Sequence, residues 1–98
     1  MGKPLVEIGR VVTSKAGRDK GRLAVIIDII DEDYVLVADG DLRKIAKPKK
    51  KNIKHVVLKP IMAKGIKDKI VASEMVLDAD IRKELTVLMA RQEGLGEE

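Results

Sequence analysis

Two β-branched apolar runs, Leu23 to Ile30 and Tyr34 to Ala38, stand on either side of three consecutive acids, Asp31-Glu32-Asp33. Neither run spaces its apolar residues as a helix would, and Val and Ile favour the pleated surface of a sheet. The first run is long enough for one well-buried strand. The acids predict a tight polar turn and the second run the strand that returns from it. Val6 to Ser14 reads as an earlier strand, with Gly9 as a possible bend. Between it and Leu23 lies Ser14-Lys15-Ala16-Gly17-Arg18-Asp19-Lys20-Gly21-Arg22, whose glycines and cations predict an exposed basic loop. Asp39-Gly40-Asp41 predicts another turn, Leu42 to Ala46 a short strand, and Ile53 to Leu58 a last strand stopped by Pro60.

The chain then changes period. Residues 61–76 are ambiguous: Gly65 interrupts them, and Ile70 and Val71 are compatible with extended backbone. Leu77, Ile81, Leu85 and Leu88 recur at steps of four, four and three, which sets them on one face of a helix. Asp78 or Asp80 can serve as its N-cap, Gly94 as its stop, and Gly94 to Glu98 as a frayed tail. The expected fold is therefore mainly β: a small SH3-like antiparallel barrel over residues 1–60, then a connector and an amphipathic C-terminal helix over residues 61–98.

Composition narrows the chemistry. Tyr34 is the single aromatic in 98 residues, so the core must be aliphatic. It also leaves no aromatic groove for proline-rich peptides, no cage for methylated lysine and no row of rings on which bases stack. Cysteine is absent, which excludes disulfides, thiolate-bound zinc and a cysteine nucleophile. Met1-Gly2-Lys3-Pro4-Leu5 lacks the apolar core of a signal peptide, and no apolar stretch approaches the ~20 residues that span a bilayer. A cytoplasmic protein is expected. The net charge of +4 is unevenly spread: residues 1–59 carry +6 and residues 60–98 carry −2. Residues 42–59 hold eight cations and no acid. The barrel half is the nucleic-acid candidate.

Glu7-Ile8-Gly9-Arg10-Val11-Val12, then Gly17-Arg18-Asp19-Lys20-Gly21, then Val25-Ile26-Ile27, resembles a KOW motif: a strand, a basic loop closed by a glycine (here Gly21) and a second strand. Val25-Ile26-Ile27-Asp28-Ile29-Ile30-Asp31, Tyr34-Val35-Leu36-Val37 and the basic stretch ending Asn52-Ile53-Lys54-His55 are similar to one KOW family in particular. That family is the large-subunit ribosomal protein fourteen of archaeal and eukaryotic type, with its short bacterial relatives. The resemblance covers about residues 6–58. It implies an SH3-like barrel, ribosomal or ribosome-like RNA as ligand, and the two basic segments as contacts.

The candidate RNA-binding residues are Lys15, Arg18, Lys20 and Arg22 in the first loop, then Arg43, Lys44, Lys47, Lys49, Lys50, Lys51, Asn52, Lys54 and His55. Lysines packed this closely repel one another, so a nearby anion is favoured, and Asn52 and His55 can bond a base edge or a 2′-hydroxyl. His55 has no nucleophile near it in sequence, which argues against acid–base catalysis. Asp28, Asp31, Glu32 and Asp33 do not follow the calcium-loop spacing. Gly17 to Gly21 is not a phosphate-binding loop of the nucleotide type, since a strand follows it. No enzyme activity, metal or cofactor is expected. The expected function is binding of structured, ribosomal RNA as a ribosomal or ribosome-associated protein. The alternative is a protein-interaction module of a transcription or translation factor complex. It would dock, or self-associate, through Leu77, Ile81, Leu85 and Leu88.

Overall fold

A computed structural model describes residues 4–96, with side chains described as far as Arg91. The expectations for Met1–Leu5 and for the last residues, Glu97 and Glu98, fall partly or wholly outside that range. Strands β1 (Arg10–Ser14), β2 (Leu23–Ile29) and β3 (Tyr34–Ala38) form an antiparallel meander. The acidic turn is built as expected: Asp31 Oδ1 accepts from the N–H of both Asp33 and Tyr34, the self-capping geometry that makes Asp a turn residue.

Strand β4 (Lys49–Asn52) is the lysine run itself, paired with Tyr34–Val37 of β3. Leu42–Ala46, expected as a strand, is an irregular loop. The N–H groups of Asp39 and Gly40 bond back to the Arg43 carbonyl and that of Lys47 to Lys44, so its backbone closes turns instead of joining a ladder. Ile53–His55, expected to open the last strand, is a single 3₁₀ turn, and β5 (Val56–Met62) follows it. Pro60 does not end β5. The pairing with β1 jumps from Val12↔Leu58 to Arg10↔Met62, so Pro60 sits in a bulge on an edge strand, where no ladder bond requires its missing N–H.

The sheet order is β4-β3-β2-β1-β5. One short 3₁₀ turn joins its two edge strands, so the edges must lie side by side and the sheet must curl into a barrel. Bulges in the β1–β5 and β2–β3 pairings supply the bends. The result is the small barrel with a C-terminal helix that the pattern predicted.

Helix α1 (Lys64–Val71) occupies the ambiguous segment, so Ile70 and Val71 are helical. Gly65 lies in its first turn, where a weak helix former costs little. A side chain there would meet the Glu84 carboxylate. Helix α2 (Asp78–Gly96) runs past the stop expected at Gly94. Its N-cap position is Leu77, not Asp78 or Asp80: the Leu77 carbonyl accepts from Asp80 and Ile81, while Asp80 Oδ2 reaches back to the Leu77 N–H.

Adjacent residues of the strands divide between two cores. Val12, Ile26, Val35, Val37 and Val56 fill the barrel interior. Val11, Val25 and Ala38 face outward and are covered by Ala63, Ile66, Ile81 and Leu85. Burial on both faces explains why the strands read as continuous apolar runs, not alternating ones. It also corrects the docking expectation. Ile81 and Leu85 are 0% and 7% exposed and Leu88 packs beside them, so the barrel already occupies the stripe, while Leu77 lies outside it at 53% exposure. Among the described residues no helix is long and apolar enough to cross a membrane.

Candidate nucleic-acid interface

The β1–β2 loop has a defined shape. Gly21 N–H bonds the Ser14 carbonyl, Lys20 N–H bonds Gly17 and Arg22 N–H bonds Asp19, with Ser14 Oγ donating to the Ala16 carbonyl. Gly21 has φ 78° with open space where a side chain would be, so glycine serves conformation there, not crowding. The loop projects Lys15, Arg18 and Lys20 into solvent. The Lys15 N–H donates to the His55 carbonyl at 2.9 Å, which ties the loop to the 3₁₀ turn between β4 and β5.

The 39–47 loop meets it at the same end of the barrel, because Ala38 pairs with Val25 and Lys49 with Val37. Asp39, its side chain only 4% exposed, organises this loop. Its Oδ1 accepts from the N–H groups of Asp41 and Arg43 at 2.8 and 2.9 Å, and its Oδ2 accepts from Arg22 Nε at 2.6 Å. Burial alone would raise the Asp39 carboxyl. The Arg22 guanidinium and the two backbone donors outweigh it and hold the group below the ordinary carboxylate range. The Arg22 guanidinium in turn is raised, first by its bond to Asp39 and then by Asp41. On the far side Gly40, at φ 80°, passes under α2, where a Cβ would collide with the Asp78 carbonyl. Arg82 bonds the Gly40 carbonyl, and Asp78 accepts from the Ile45 N–H at 2.7 Å.

The thirteen predicted residues therefore fall into different situations. Arg22 is held by Asp39 and Asp41, and Arg43 by Asp19 at 3.2 Å. Lys51 is half-buried and donates to Ser14 Oγ at 3.0 Å. Asn52 Oδ1 is engaged in capping the 3₁₀ turn through the Lys54 N–H. Lys50 places its ammonium 4.5 Å from the centre of the Tyr34 ring. Lys15, Arg18, Lys20, Lys44, Lys47, Lys49, Lys54 and His55 are exposed. Among the described residues none of these eight has a carboxylate within ion-pair distance. A cavity of about 20 Å³ between Ser14, Asp19, Arg22, Arg43 and Lys51 has room for one water and no larger ligand.

Residue reasoning on the sequence missed Asp19, Asp39 and Asp41, which read only as loop and turn residues. The available signal was their place inside the most basic half of the chain, where an acid needs a reason. It does not reveal which arginine each one meets.

No family model matches the chain. Curated proteins named large ribosomal subunit protein eL14 do match. The one from Staphylothermus marinus is 43% identical over 53 residues, 54% of this chain and 55% of its own length. That from Desulfurococcus amylolyticus is 45% identical over 53 residues with the same coverage. That from Pyrobaculum arsenaticum is 40% identical over 52 residues, 53% of this chain and 50% of its own. The chain spans about half the length of these relatives. Over that half it is similar to ribosomal proteins of the eL14 kind, the resemblance its strand and loop motifs carry.

Proposed function

We propose that the chain binds folded ribosomal RNA through the basic rim at the loop end of its barrel, in the cytoplasm, as a ribosomal or ribosome-associated protein. One observation carries this reading. The carboxylates of that end are engaged by Arg22 and Arg43, which leaves an outward-facing set of lysines and Arg18 with no carboxylate within ion-pair distance among the described residues. The names of the eL14 relatives support ribosomal RNA as the polyanion.

Lysine and arginine contacts neutralise phosphates and release condensed counterions, so affinity falls with salt by a log–log slope of roughly 0.7–0.9 per phosphate. Base stacking contributes little, because Tyr34 is half-buried and lies against the Lys50 ammonium. The surface reads the spacing of phosphates in a folded RNA and carries out no bond-making step.

The test is charge reversal of Lys47, Lys49 and Lys50, which leaves the half-buried Lys51 in place. Affinity for a structured ribosomal RNA fragment should fall by at least about tenfold, with an unchanged far-ultraviolet spectrum. Equal affinity in the folded variant would remove this surface from consideration.

A further inference from the structure

Arg22 and Arg43 belong to the two basic segments, yet neither points at solvent unaccompanied. Arg22 closes the β1–β2 loop and reaches to the next loop, where Nε meets Asp39 Oδ2 and Nη2 meets Asp41 Oδ2, both at 2.6 Å. Asp19, inside the β1–β2 loop, takes Nε and Nη2 of Arg43 at 3.3 and 3.2 Å. The two links run in opposite senses: cation to acid in one, acid to cation in the other. One link would leave the loops free to pivot about it. Two fix both their separation and their relative twist.

Each link is modest by itself at partial exposure. Their joint effect is to remove conformational freedom that the loops would otherwise lose on binding a ligand. The geometry points to Asp19 and Asp41 as positioning residues for RNA binding: carboxylates that strengthen a cationic surface's hold on a polyanion by keeping its two basic segments in register. The inference rests on the RNA-binding reading above.

It inverts the expectation from charge. Asp41→Asn or Asp19→Asn removes a negative charge and takes the chain from +4 to +5. If bulk charge governs binding, affinity rises and the salt dependence steepens. If the carboxylates position the rim, each variant binds about three- to tenfold more weakly, with a shallower salt slope because fewer phosphates are met at once.

The experiment titrates a structured ribosomal RNA fragment with the wild-type protein, Asp19→Asn, Asp41→Asn, and the swap Asp19→Arg/Arg43→Asp, at several salt concentrations. Thermal melts accompany each titration. Asp41 is 63% exposed and lies outside the core, so its variant reports on binding even if the Asp19 variant is too unstable to use. Weaker binding with a shallower slope in the Asn variants, recovered in the swap, is the expected result. Binding as tight as wild type or tighter, or a swap that stays as weak as Asp19→Asn, overturns the inference. If the wild type binds and the lysine reversals weaken it while the Asn variants strengthen it, only the positioning role fails. If the wild type does not bind, the RNA reading fails and takes the inference with it.

Discussion

Asp39 accepts hydrogen bonds from one guanidinium and two backbone N–H groups while almost wholly withdrawn from solvent. Ionisation of a carboxylate so placed strengthens its bonds to Arg22 and to the two backbone donors of the turn from Asp39 to Arg43, and its folded-state pKa is lowered accordingly. Because that value lies below the unfolded one of about 3.9, the stabilisation is complete above the unfolded value and is lost as pH falls through the folded one. Asp39→Asn should therefore destabilise the protein by about 1–3 kcal/mol at neutral pH, and the gap to wild type should narrow below about pH 4. Urea melts across that range measure it. A gap as wide at pH 3 as at pH 7 would mean that the ionised carboxylate is not what holds the turn.

At the scale of elements, α2 closes the outer core and also holds the basic rim from behind. Ile81 and Leu85 cover the outward faces of Val11, Val25 and Ala38, and the first turns of α2 grip the 39–46 loop through Asp78 and Arg82. Ile81→Ala should cost about 2–5 kcal/mol, the range for a truncated buried aliphatic. Val87→Ala, on the exposed side of the same helix, should change stability by no more than about 0.5 kcal/mol. Comparable losses in denaturant melts of the two variants would contradict the assigned face. The stripe of Leu77, Ile81, Leu85 and Leu88 was legible as a helix, since a 3.6-residue period survives any context. Its partner was not legible, because a period says only that one face is buried. Helix α1 was hidden by Gly65, whose cost depends on its place in the first turn. β4 was hidden because Lys-Lys-Lys-Asn has no strand preference of its own. It pairs because β3 presents an open edge and the 3₁₀ turn carries the chain onward.

For the molecule as a whole, the hairpin, the barrel and the basic loop were all legible. They rest on local signals: β-branched runs, an acidic turn and glycines between cations. The candidate surface was legible as composition but not as geometry. The seven outward cations are distinguished from Arg22, Arg43 and Lys51 by contacts that span 17 to 37 residues of chain, which no spacing rule reaches. The central claim is that this rim meets the phosphates of a ribosomal RNA. Co-sedimentation with purified large ribosomal subunits across a salt series, with free structured RNA in parallel, tests it most directly. The account predicts saturable binding to the subunit that weakens steeply and linearly on log–log axes, with a slope of several phosphates at roughly 0.7–0.9 each. Binding that never saturates, or that is indifferent to salt, would contradict it.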